Sequence, residues 1–228
     1  MTADKGYGRF AALVNSLLAL LLCSFLGLPT HAQSPPIKLA VLGDSLAAGF
    51  GLSPQQSIPA RLEAALKAQG RSVVVLNHGV SGDTSAGGLD RVDWMLGDKP
   101  DIVLVELGAN DALRAIDPAN TERNLAAIVE KLQAQHVAVW LAGMLAPRNF
   151  GSEYDKAFDG LYQRLADKYK VPLYPFLLDG VAQQAALNQP DGLHPNQQGV
   201  EIIVDHLMPF VLKNLDVYAA TVHRPAGP

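Results

Sequence analysis

Four short runs, Ile37–Leu42 (IKLAVL), Val73–Leu76 (VVVL), Ile102–Leu107 (IVLVEL) and Val137–Leu141 (VAVWL), constrain the fold of this chain more than any other feature. Each is rich in β-branched residues and nearly continuous in hydrophobicity, with no alternation that would leave one face to water. Such strands are buried on both faces, as in a parallel sheet covered by helices. A fifth candidate, Val171–Tyr174, contains Pro172, which cannot donate to a ladder and therefore belongs at a sheet edge.

Between these runs the apolar residues recur at helical spacing. Ile58–Gln69 places Leu62, Ala65 and Leu66 on one face and stops at Gly70; Leu89–Leu96 closes at Gly97. Thr121–Gln135 repeats Leu125, Ile128, Val129 and Leu132, and Tyr154–Tyr169 repeats Phe158, Leu161, Tyr162 and Leu165. A last helix is expected over Gln197–Leu212, with Pro195 at its first position. Strands alternating with helices of this length predict βαβ units in one α/β domain, a three-layer αβα sandwich around a parallel five-stranded sheet. In open sheets of this kind, ligands lie outside the carboxyl ends of the strands.

The N-terminus is set aside from the fold. Lys5 and Arg9 precede the apolar stretch Phe10–Leu28, and Pro29-Thr30-His31-Ala32 then supplies a break and a small residue. That pattern predicts a signal peptide over residues 1–32, cleaved after Ala32, with the folded domain over 33–217 and a disordered tail over 218–228. The predicted destination is the periplasm or the medium, with no stable membrane span once the leader is gone. Cys23, the chain's single cysteine, falls inside the leader, so the expected mature protein has no thiol chemistry. Removing Lys5, Arg9 and Asp4 takes the net charge from −4 to −5. With no block of like charge, this composition excludes nucleic acid as a partner, which would need a clustered basic face.

Four segments fall on the functional rim of such a sheet. Gly43-Asp44-Ser45 follows the first strand, Ser81-Gly82-Asp83-Thr84 the second and Gly108-Ala109-Asn110-Asp111 the third; Asp191-Gly192-Leu193-His194-Pro195 precedes the last helix. Together they contain what acyl transfer needs. A serine hydroxyl is a poor nucleophile until a histidine accepts its proton, and that histidine must be held in one tautomer. Asp191 stands close enough in sequence to His194 to do this. The backbone N–H groups of Ser45 and Gly82 and the side-chain amide of Asn110 are candidate donors to an oxyanion.

These blocks, with SGDTSAGGL, VELGANDALR and DGLHPN around them, resemble the SGNH, or GDSL, hydrolase family, most closely its exported bacterial thioesterase I, lysophospholipase and arylesterase branch. The resemblance runs from the first strand to the last helix. It implies a flavodoxin-like sheet, a triad of Ser45, Asp191 and His194, and an oxyanion hole from Ser45, Gly82 and Asn110. It also implies no metal and no organic cofactor. The expected substrate is a small-molecule or lipid-like ester, attacked through an acyl-enzyme on Ser45. Ala109 stands where a second glycine is common in the family.

Asp44, Asp83 and Asp111 read as structural, capping helices or fixing loops. Leu113, Ile116, Leu145 and Phe150 read as an apolar lining for the acyl group, with Ala112–Pro118 as a small lid. Two other functions use the same residues or the same fold: a carbohydrate O-deacetylase or acyltransferase, and a non-catalytic envelope binding module.

Overall fold

A computed structural model describes residues 35–222, so the predicted leader lies outside the described residues, as do the last six residues of the predicted tail. The strands are β1 (Ile37–Gly43), β2 (Val73–Gly79), β3 (Ile102–Glu106), β4 (Ala138–Ala142) and β5 (Leu173–Tyr174). They form one five-stranded sheet in the order β2-β1-β3-β4-β5, and every pairing is parallel. Leu39 pairs with Val75 on one side and Ile102 on the other, and Ile102 continues to Ala138. All five residues of β3 are buried although their side chains alternate between faces, so helices cover both faces. Two-residue β5 lies at the edge, where Pro172 places it.

The helices are α1 (Ser45–Ala48), α2 (Ile58–Ala68), α3 (Ser85–Asp90), α4 (Val92–Leu96), α5 (Ala109–Leu113), α6 (Pro118–Ala134), α7 (Ser152–Asp159), α8 (Leu161–Tyr169) and α9 (Gln197–Val222). One set packs α2 against α9; another packs α6 against α3 and α8. Local chemistry explains several boundaries. The Asp117 carboxylate accepts from Ala119 N at 2.9 Å and Pro118 opens α6, while Ser57 caps α2 with Pro59 in the first turn. Leu125, Ile128, Val129 and Leu132 of α6 are fully buried, as their spacing predicts.

Four expectations are corrected. The helix expected over Leu89–Leu96 is two helices broken at Arg91, and the one expected over Tyr154–Tyr169 is broken at Gly160. Pro195 is not in the last helix: it pairs with Asn188 in an isolated antiparallel bridge, and Asn196 caps α9 by accepting from Gly199 N at 3.0 Å. Helix α9 runs past Leu212 and into the expected tail, as far as Val222. The apolar register explains the extension, since Leu207, Val211 and Leu215 stay buried at four-residue intervals and Tyr218 packs partly buried against the core.

Strand β1 sits between β2 and β3, so the chain runs outward from β1 to β2 and then crosses back past β1 to build β3, β4 and β5 on the other side. The crevice at the carboxyl ends of β1 and β3 is the topological switch point. Ser45 follows β1 and Asn110 follows β3.

Candidate active site

Strand β1 ends at Gly43, and Asp44 caps α1, its carboxylate accepting from Leu46 N at 3.0 Å. Ser45 is thereby the first residue of a one-turn helix closed by Gly49 in the left-handed region. It is largely buried, with only 8% of its surface exposed. The His194 Nε2 lies 2.9 Å from Ser45 Oγ, and His194 Nδ1 lies 2.7 Å from Asp191 Oδ2. The other Asp191 oxygen accepts from the backbone N–H groups of Leu193 and His194, at 2.9 and 3.0 Å. These backbone donors, His194 first and Leu193 next, and then the imidazole, hold the Asp191 carboxyl down at about 2. It is a permanent anion facing the imidazole, the arrangement that fixes Nδ1 as the protonated nitrogen and leaves Nε2 to accept from the serine.

The histidine loop is tied at its base. Gln189 N donates to His194 O at 2.7 Å, Gly192 N donates to Gln189 O at 2.9 Å, and the Asn196 amide reaches the carbonyls of Ala186 and Asn188. A loop so anchored presents the imidazole from a fixed backbone.

The three expected oxyanion donors share this rim. As the first residue of α1, Ser45 has no preceding helical carbonyl for its N–H. Gly82 has φ +85°, a backbone conformation that side chains disfavour, while a Cβ there would meet only Arg114 Nη2 at 3.8 Å. The glycine is thus required by conformation rather than by crowding. Arg114 Nη2 donates to Gly82 O at 2.8 Å and ties this loop to the end of α5. Asn110 is in the first turn of α5, and its Nδ2 donates to Asp44 Oδ2 at 3.0 Å, which fixes the amide plane and leaves a second N–H. Ala109 packs half-buried on the core.

Asp83 and Asp111 do the structural work read from the sequence. Asp83 accepts from Arg91 Nε at 2.6 Å, and the other guanidinium nitrogens reach His78 O and Gly43 O, each at 2.7 Å. Asp111, buried, accepts from Ser85 N at 2.7 Å, Ser85 Oγ at 2.5 Å and Thr121 Oγ1 at 3.1 Å. Asp44 does more than cap, because it also holds Asn110.

Behind Asp44 stands a residue that the sequence reading passed over. Glu106 ends β3, is buried, and its Oε2 accepts from Asp44 N at 3.2 Å. Its Oε1 has no hydrogen-bond partner among the described residues. Burial first, and then the adjacent Asp44 charge, push its carboxyl well above the ordinary range. Burial likewise raises Asp44, to about 6, against the opposing pull of Leu46 N and Asn110. A Cβ at residue 43 would lie 2.3 Å from Glu106 Oε2, so only glycine admits this carboxyl beside Asp44 and Ser45. The signal was a lone acid inside IVLVEL, a strand otherwise made to be buried on both faces.

The four expected lining residues are partly or largely exposed: Leu113 at 46%, Leu145 at 40% and Phe150 at 38%, with Ile116 half-buried. Residues 112–118 are not a free flap. Ala112 is in the core, Ile116 N donates to Asp111 O at 2.9 Å, and Tyr154 Oη donates to Ile116 O at 2.9 Å. Among the described residues no group of three or more His, Cys, Asp or Glu side chains is arranged to hold a metal ion.

Residues 41–202 match the model of the GDSL-like Lipase/Acylhydrolase family. The chain is 38% identical over 200 residues to Esterase TesA of Pseudomonas aeruginosa, covering 87% of this chain and 96% of that protein. It is 39% identical over 182 residues to Thioesterase 1/protease 1/lysophospholipase L1 of Escherichia coli K12, covering 79% of this chain and 86% of that one. Among solved structures it is similar to AlinE4, an SGNH-hydrolase family esterase, with a TM-score of 0.68, 43% identity, and coverage of 81% of this chain and 99% of that chain.

Proposed function

From the premise that this chain belongs to the GDSL-like lipase/acylhydrolase family, we propose that it is a serine esterase that hydrolyses carboxylic esters, and also acyl thioesters and lysophospholipids, through an acyl-enzyme on Ser45. The observation that carries this reading is the run of two contacts from Ser45 Oγ to His194 Nε2, 2.9 Å, and from His194 Nδ1 to Asp191, 2.7 Å.

In the proposed reaction Ser45 Oγ attacks the acyl carbonyl as its proton passes to His194 Nε2. Asp191, ionised throughout, stabilises the imidazolium that results. Negative charge on the former carbonyl oxygen is met by the N–H groups of Ser45 and Gly82 and the free N–H of Asn110. Collapse breaks the bond to the leaving oxygen, which takes the proton from Nε2. Water then repeats the sequence on the acyl-enzyme, releasing the acid and restoring Ser45.

The exposed apolar residues on the rim favour a hydrophobic ester over a sugar acetate, which is the argument against an O-deacetylase. The aligned hydroxyl, imidazole and carboxylate argue against a non-catalytic binding module. Residues 1–32 are proposed to direct export to the periplasm or medium; no helix among the described residues is long and apolar enough to cross a membrane. The test is Ser45→Ala assayed on aryl esters and acyl thioesters, with organophosphonate labelling of the unchanged protein. A kcat loss well beyond hundredfold and labelling at Ser45 are expected. Activity retained in a folded Ser45→Ala protein would defeat the reading.

A further inference from the structure

Gly49 closes α1, and the next residue, Phe50, leaves nearly half of its surface in solvent, 49%, although it is large and apolar. Its ring is not loosely placed. The centroid lies 4.5 Å from that of the His194 imidazole, at an interplanar angle of 36°. Its backbone is held on both sides: Phe50 N donates to Ser45 O at 3.0 Å, and Phe50 O accepts from Gln189 Nε2 at 2.7 Å. The same Gln189 amide donates to Pro195 O at 2.9 Å, so one side chain fastens Phe50 to the histidine loop. Gln189 presses so close to the chain after Phe50 that a Cβ at Gly51 would lie 2.1 Å from its Oε1. Leu193, immediately before His194 in sequence, is also half exposed, at 51%. An exposed aromatic ring is therefore presented by a fixed backbone against the general base.

The chemistry of the step says what meets that ring. On collapse of the tetrahedral adduct, His194 Nε2 delivers its proton to the leaving oxygen. That oxygen must therefore lie within hydrogen-bond reach of the imidazole, roughly 3 Å. Whatever is bonded to it extends beside the imidazole, where Phe50 lies. Resting on the serine-esterase reading above, we propose that Phe50, flanked by Leu193 and held by Gln189, is the wall of the leaving-group subsite and sets specificity for the alcohol half of the ester, favouring aromatic over alkyl alcohols. Two aromatic rings gain a contact beyond the area they bury, which an alkyl chain does not.

The test compares kcat/KM for phenyl butyrate and butyl butyrate, which share an acyl group and differ only in what leaves. This constant reports the acylation half, the only stage at which the leaving group is present. In Phe50→Ala the phenyl-to-butyl ratio should fall about fivefold, about 1 kcal/mol at 1.4 kcal/mol per tenfold, and in Phe50→Leu it should fall less. A merely structural role gives the opposite sign. An alkoxide needs the His194 proton more than a phenolate does, so a displaced imidazole would slow the butyl ester more and raise the ratio. A ratio that is unchanged or raised in Phe50→Ala overturns the assignment. In the unaltered enzyme phenol should compete with substrate at lower concentration than cyclohexanol, and equal inhibition by the two also overturns it. Full dependence on Ser45 with an unchanged ratio would remove only the role of Phe50, whereas activity independent of Ser45 would remove the underlying reaction.

Discussion

Asp44→Asn separates two roles that one buried carboxylate now performs. Asparagine caps a helix as well as aspartate does, so its single oxygen can still accept from Leu46 N. The other position then carries an NH2 group facing Asn110 Nδ2, where a carboxylate oxygen now accepts at 3.0 Å. Two donors cannot share that contact, and Asn110 must turn away from it. Removing an oxyanion donor outright lowers kcat by about 10²–10³. On the proposed mechanism, in which Asn110 is such a donor, displacing it should lower kcat by between about tenfold and a hundredfold, with a smaller change in KM.

Stability should move the other way as pH rises. The folded value of about 6 for Asp44 lies above its ordinary 3.8. Between these two values the folded chain keeps a proton that the unfolded chain has released. Native stability therefore falls as pH climbs from about 4 to about 6 and stays reduced above that. At about 1.36 kcal/mol per pH unit the burden is about 3 kcal/mol at neutral pH. The substituted amide does not titrate, so the variant's stability relative to the wild type should rise by about that amount between pH 4 and pH 7.5. Urea denaturation at the two pH values, beside chromogenic ester kinetics at pH 7.5, gives both readouts. A variant with unchanged kcat, or a stability difference that is flat between the two pH values, would refute the reasoning.

On the proposed acyl lining, which a long chain would reach and an acetyl group would not, the double variant Leu113→Ala and Ile116→Ala should lower kcat/KM about tenfold for decanoyl esters and less than about twofold for acetyl esters; equal losses would remove them from the acyl groove. Gly43→Ala places a methyl carbon 2.3 Å from Glu106 Oε2 and 2.6 Å from Ala47 Cβ, so overpacking should destabilise by about 1–3 kcal/mol. In a domain of this size that is a fall in Tm of about 2–12 °C by calorimetry, and an unchanged Tm would contradict the close approach.

The parts of this fold that the sequence announces are those whose cause is local. The runs that became β1 to β4 are legible because burial on both faces demands uninterrupted apolar residues, and β5 is legible as an edge because Pro172 lacks a donor. Asp191 and His194 are legible as a pair because three residues separate them, so a turn brings them together. The two broken helices were not, because periodicity continues on both sides of Arg91 and of Gly160. The supporting residues are harder still. Gln189 finds Phe50 O 139 residues away, and Asn110 finds Asp44 at a separation of 66. Nothing near Arg91 announces that its three nitrogens meet Asp83, His78 and Gly43 at the ends of β1 and β2. Glu106 was the one such residue with a local mark. A carboxyl among five buried strand residues must find a polar partner, and Glu106 finds the backbone N–H of Asp44, while burial and the Asp44 charge both push its pKa up. Repulsion between the two acids falls on the cap of the helix that begins at Ser45, and the upward shift of Glu106 is the response that relieves it. Glu106 therefore bears on where Ser45 sits through Asp44, whose backbone N–H it accepts and whose carboxylate caps the helix that Ser45 begins.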